Sequence, residues 1–127
     1  MINLNGLDSL KSIGEVLQIE SNDALANLNG LENLKSIGGN LYIRFNDALK
    51  NPNGLANIDP GTIDSLFISS NPLLSTCAVE SICSYLKVGT NFASISNNAT
   101  GCGNRAEVTM ACNTLVTSQD ISQTDVE

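Results

Sequence analysis

The chain has 127 residues, enough for one domain with a buried core. Apolar residues make up 42%, yet aromatics only 4% and tryptophan none, so the core must be built from Leu, Ile, Val and Ala. Thirteen acidic residues against six basic ones give a net charge of −7, which with no basic stripe argues against a nucleic-acid partner, and no apolar run reaches the ~18 residues needed to span a membrane.

In chain order, the opening Met-Ile-Asn-Leu-Asn-Gly lacks the basic and apolar segments of a signal peptide. It reads as the interior of a repeat already under way, so further sequence and other domains of a larger parent chain are expected. Leu4–Asn27 and Leu28–Asn51 align without a gap and share 16 of 24 positions, in the frame L-N-G-L-x-x-L-K-S-I-G-x-x-L-x-I-x-x-N-D-A-L-x-N. A third copy begins at Pro52. Gly54, Leu55 and Ile58 hold its frame, one residue is inserted near Pro60-Gly61, and Leu66, Ile68, Asn71 and Leu74 resume it. A weaker fourth echo falls at Ala93, Ile95 and Asn98. A period of about 24 residues is in the range of stacked leucine-rich turns, which need three or more units to bury their faces.

Leu17-Gln-Ile19, Leu41-Tyr-Ile43 and Leu66-Phe-Ile68 alternate apolar residues with others, the period of a strand with one buried face. One strand per turn predicts a parallel sheet. Asn22, Asn46, Asn71 and Asn98 fall where the chain leaves each strand, and a buried amide there satisfies loop backbone groups, so they are expected to form a ladder. Gly-Leu at 6–7, 30–31 and 54–55 and Ile-Gly at 13–14 and 37–38 mark tight corners, where glycine is expected in left-handed conformation. The Asn-Asp pairs at 22–23 and 46–47 raise calcium, but Pro72 takes the Asp place in the third copy and the calcium-binding G-G-x-G-x-D pattern is missing. No metal is expected.

All four cysteines lie within 77–112, an even count in one compact segment that suggests two disulfides and an oxidising compartment. Ala78–Leu86 carries Val79, Ile82, Cys83 and Leu86 at helical spacing, with Ser75 or Thr76 as cap candidates and Glu80 in the first turn. Phe92–Ser96 is expected as a last strand and Asn104–Cys112 as a second helix. Two helices that follow neighbouring parallel strands run side by side, which of the three possible pairings favours Cys77–Cys102 and Cys83–Cys112. Zinc is the alternative, but C-x5-C and C-x9-C match no paired C-x2–4-C spacing. The organisation is therefore repeats over 1–76 (units about 4–27, 28–51 and 52–76), a stapled cap over 77–112, and a polar, aperiodic tail or linker over 113–127. Asn98-Ala-Thr100 is formally a glycosylation sequon, although a ladder position makes Asn98 a poor acceptor.

The frame G-L-x-x-L-x-x-I-G-G-x-L-x-I-x-x-N-x-x-L at Gly30–Leu49 resembles receptor L-domain repeats, the leucine-rich, right-handed β-helical ligand-binding lobes of the insulin and epidermal growth factor receptors. The resemblance covers about residues 4–75. C-A-V-E-S-I-C-S-Y-L, N-A-T-G-C and E-V-x-x-x-C are similar to the cap that ends such arrays in secreted bacterial proteins, which is the closer type, because a receptor L-domain runs on into a furin-like cysteine-rich region. The resemblance implies a leucine-rich-repeat or right-handed β-helix-like solenoid of three to four rungs with a short helical cap. It also implies a secreted or cell-surface setting and recognition rather than chemistry, and it supplies no catalytic residues.

The outward positions across the copies are Gln18 and Glu20, Tyr42 and Arg44, Phe67 and Ser69, Ser94 and Ser96, with Ser21, Phe45, Ser70 and Asn97 as the next column. Strand spacing of about 4.8 Å places Tyr42 beside Phe67 with Arg44, Phe45 and Glu20 close by. The patch is a candidate surface for a protein or a carbohydrate ligand. The alternative is that the rings only pack across strands. No histidine, phosphate loop or nucleophile motif points to an enzyme, and no cofactor is expected. Two functions are expected to compete: an extracellular recognition or adhesion module, and a structural spacer.

Overall fold

The computed structural model describes residues 2–113, so all of the expected tail except Asn113 lies outside the described residues. Four short strands, β1 (Leu17–Glu20), β2 (Leu41–Arg44), β3 (Leu66–Ser69) and β4 (Ala93–Ser96), form one parallel sheet in the order β1-β2-β3-β4. The register follows the repeat: Leu17, Leu41, Leu66 and Ala93 align, as do Ile19, Ile43, Ile68 and Ile95. Each neighbour is one copy further along the chain. This arrangement is compatible with a small solenoid.

The alternation decides what faces inward. Leu41, Ile43, Leu66 and Ile68 are buried, together with the other conserved apolar places of the frame, Leu25, Leu28, Leu31, Leu34, Leu49, Leu55 and Leu74. Each such side chain contributes roughly 1.5–3 kcal/mol on burial. In the first copy Leu7 is exposed, while its counterparts Leu31 and Leu55 are buried. A cleft of about 260 Å³ opens there, lined by Leu4, Leu7, Leu10, Leu17, Leu25 and Leu31 among others.

The corner glycines serve a different need from the one expected. Gly6 and Gly30 have positive φ, +101° and +113°, but Gly14, Gly38 and Gly54 do not. Close approach of successive turns explains more of them. A Cβ on Gly30, Gly38 or Gly54 would run into the carbonyl oxygen of Leu4, Gly14 or Leu28 in the turn beneath. The left-handed positions instead form a column at the strand exits, Ser21, Phe45, Ser70 and Asn97, each with φ of 58–59°. That bend turns the next residue, the ladder asparagine, back into the stack. Each corner also begins with an Asx turn, in which Asn5, Asn29 and Asn53 donate their amides to the side-chain oxygens of Asn3, Asn27 and Asn51.

The last two turns carry the helices α1 (Glu80–Lys87) and α2 (105–113). Neither Ser75 nor Thr76 caps α1. Its N-cap is Val79, extended, buried in the core and without a side-chain cap bond, its amide donating instead to the Cys77 carbonyl at 2.9 Å in a tight turn ahead of the helix. Both helices start later than their apolar spacing suggests, and β4 starts at Ala93 rather than Phe92.

Candidate functional site

The outer face of the sheet holds the sequence-predicted patch. Tyr42 and Phe67 are register partners on β2 and β3, and their rings stack with centroids 4.7 Å apart and planes 12° from parallel. The Arg44 guanidinium lies 4.4 Å from the Tyr42 ring centroid and reaches on to Glu20 of β1, with Nη2 donating to Oε1 at 2.6 Å. Gln18 donates to the same oxygen at 2.9 Å. A second ring and a guanidinium at these distances cannot share one side of Tyr42, so both of its faces are occupied. Asn40 fixes the ring in its plane by donating to the phenolic oxygen at 3.0 Å.

The row extends further than the sequence indicated. Phe92, just before β4, packs diagonally on Phe67 with centroids 5.5 Å apart and a tilt of 51°, and it is exposed. Alternation places Phe92 on the outer side, but its own register neighbour is Ser65. Only the diagonal reach of a large ring brings it to Phe67. Phe45 stands apart. It occupies the left-handed turn after β2, is exposed, and makes no ring contact with the row among the described residues. The cause is the αL bend, which swings its side chain out of the strand's alternation. Around the row the face is lined by the hydroxyls of Ser69, Ser94 and Ser96, so an apolar centre has a polar surround.

Glu20 and Arg44 keep 28% and 31% of their side chains exposed, so solvent screens the pair and it contributes at most about 1 kcal/mol. Its main effect is to hold the guanidinium over Tyr42, a cation–π contact of about 0.5–1 kcal/mol at an exposed position.

Behind the sheet, the four asparagines form a continuous ladder. Asn22 donates its backbone N–H and Nδ2 to Asn46 Oδ1, Asn46 does the same to Asn71, and Asn71 to Asn98, at 2.9–3.2 Å. Nδ2 of Asn46, Asn71 and Asn98 also donates to the strand carbonyls of Ile19, Ile43 and Ile68. Asn98 Nδ2 further donates to Cys102, so the sequon amide is engaged twice. A second pair, Asn33 to the Asp8 carbonyl and Asn57 to the Glu32 carbonyl, ties the opposite corner. The sequence reading did not assign it, though the 24-residue spacing of the two asparagines was a signal.

The bridges are Cys77–Cys102 and Cys83–Cys112, with Cα separations of 5.7 and 5.6 Å. Around them Arg105 donates to the carbonyls of Leu86, Val88 and Asn91, closing the C-terminal end of α1. Glu107 accepts from the amides of Gly101 and Gly103 ahead of α2. Tyr85, fully buried, donates to the Phe92 carbonyl at 2.6 Å. Burial pushes its phenol above the ordinary value, Arg105 pulls the other way, and Asp64 adds to the rise. Asp23 and Asp47 are exposed, and among the described residues no group of three or more His, Cys, Asp or Glu side chains is placed to hold a metal.

No family model, curated protein or solved structure matches this chain. What the face can do therefore rests on its own chemistry: edges of stacked rings, a preset guanidinium and a rim of hydroxyls.

Proposed function

We propose that the chain is part of an extracellular leucine-rich solenoid of the receptor L-domain type, a non-catalytic recognition or adhesion module that binds a protein partner through the outer face of its sheet. One observation carries the reading: the row Arg44–Tyr42–Phe67–Phe92, preassembled across three strands at the centre of a serine-lined face. Aromatic and Arg side chains held rigid at the centre of a polar rim suit protein interfaces, since little freedom is lost on binding. A sugar needs an open ring face to stack on, and those of Tyr42 are taken, which favours protein over carbohydrate. Two disulfides fit an oxidising, extracellular setting, and no helix among the described residues is long and apolar enough to cross a membrane.

The competing reading is a structural spacer within a larger surface protein. It draws support from the same row, because the rings stack on one another and Arg44 pairs with Glu20 without a ligand, even though Arg44 Nε is buried with no hydrogen-bond partner among the described residues. A triple variant, Tyr42→Ser, Arg44→Ser and Phe67→Ser, separates the two when it and the wild type are screened on protein and glycan arrays, with circular dichroism as the folding control. Loss of a specific protein interaction supports recognition. A ligand retained by the variant, a glycan-only signal, or no ligand for the wild type overturns it.

A further inference from the structure

Three members of the aromatic row owe their place to the sheet. Arg44 and Tyr42 stand on β2 and Phe67 on β3, where the ladder fixes each backbone. Phe92 has no such support. It ends the turn 88–92, one residue ahead of β4, and its ring keeps a tilted contact with Phe67 at 5.5 Å. That turn brings little to the core, since Lys87, Val88, Gly89 and Thr90 are all exposed. What holds it is polar.

The direction in which a side chain leaves its Cα is set by the two planar peptide groups on either side. For Phe92 both are fixed by hydrogen bonds. The peptide after it offers the Phe92 carbonyl to the Tyr85 hydroxyl at 2.6 Å and to the Leu66 amide at 3.2 Å. The peptide before it offers the Asn91 carbonyl to Arg105 Nη1 at 2.6 Å. Nη2 of the same guanidinium donates to the carbonyls of Leu86 and Val88 at 3.2 and 3.3 Å. One rigid, charged fork thus spans the turn from its entry to its exit.

We infer that Arg105 is a positioning residue of the row: from α2 it fixes the peptide ahead of Phe92 and so keeps that ring against Phe67. The cap then does more than close the stack, because it sets one end of the outer face. The consequence for binding rests on the recognition reading above. A fourth ring already in place loses little freedom when a partner docks, whereas a loose one has to be ordered first.

The test is NMR of the whole chain with labelled phenylalanine, which occurs only three times and gives three ring systems. The wild type shows cross peaks between the Phe67 and Phe92 rings and between Phe67 and Tyr42. Arg105→Ala loses the first set and keeps the second, which reports an intact sheet. Glu107→Ala loosens the start of the same helix by removing its bonds to the Gly101 and Gly103 amides, and it keeps both sets. Arg105→Lys retains the charge and the long stem without the fork, and the first set weakens; this variant decides the matter if Arg105→Ala does not fold. Unchanged Phe67–Phe92 cross peaks in the folded Arg105 variants overturn the inference. So does their loss in Glu107→Ala, which would make Phe92 a reporter of cap stability in general. These signals need no ligand, so an array screen without a partner would sink the recognition reading and leave the position of Phe92 to be decided by the rings.

Discussion

The first three turns and the C-terminal cap hold the same parallel sheet together by different means. In the turns, the packing contacts recur: leucine over leucine, isoleucine over isoleucine, asparagine over asparagine, one copy further along the chain. In the cap, apart from Ile95 and Asn98 continuing their rows, the contacts occur once. Two bridges, the Arg105 fork, the Glu107 carboxylate and the Tyr85 hydroxyl each occur once. A stacked turn borrows its neighbours' surface, whereas in the cap two cross-links and two helices cover the apolar side of the last described turns.

The largest effect expected from disturbing this division lies in the ladder. Asn71 is fully buried, donates to Ile43, Ser69 and Asn98, and accepts from Asn46 twice. Asn71→Ala strands several buried groups at once and costs at least about 3 kcal/mol in guanidinium unfolding, while Asn22→Ala at a half-buried position costs about 1 kcal/mol. Equal costs would show that the ladder is not cooperative.

Removing either bridge as a Cys→Ser pair, at 77 and 102 or at 83 and 112, lowers stability by about 2–4 kcal/mol in the same assay. Amide exchange locates the loss. It is expected to rise first in α1, α2 and β4, leaving β1 and β2 protected; uniform loss would mean that cap and turns melt as one unit.

Gly54→Ala drives a methyl group into the Leu28 carbonyl and costs about 1–3 kcal/mol, whereas Gly14→Ala, with open space around it, costs about 0.5 kcal/mol or less. The smallest effect concerns pH. A phenol raised in the folded state binds its proton more tightly there than in the unfolded chain, so Tyr85 contributes fully below its unfolded value and the contribution fades as pH climbs through the higher folded one. Tyr85→Phe costs about 1 kcal/mol near neutrality through the lost bond to Phe92, and flattens the alkaline fall in melting temperature above roughly pH 10. An unchanged alkaline slope would assign that fall to another group.

Much of this architecture can be read in the chain because repetition multiplies weak signals. Sixteen shared positions in 24 fix the register of β1 and β2 without any propensity argument, and the inserted residue near Pro60 shifts β3 by one, from Leu41 to Leu66. The cysteine pairs follow from strands and helices that alternate in step. The sheet-face patch is legible only in part. Tyr42 meeting Phe67 follows from register, but the reach of Phe92 and the outward swing of Phe45 depend on ring orientation and on a left-handed bend at serine, phenylalanine and asparagine alike. The residue type at that bend carries little warning, because the ladder asparagine that follows, rather than the bent residue itself, demands the conformation.

The sequence by itself determined the period, the inward rows, the ladder asparagines and the place of the cap, since each is set by side-chain polarity recurring at a fixed interval. The tertiary structure alone decided why the glycines are needed, where α1 begins, and that the ring faces of Tyr42 are already occupied. Those depend on the distance between neighbouring turns, and a spacing between two parts of the chain is not a property of either part alone.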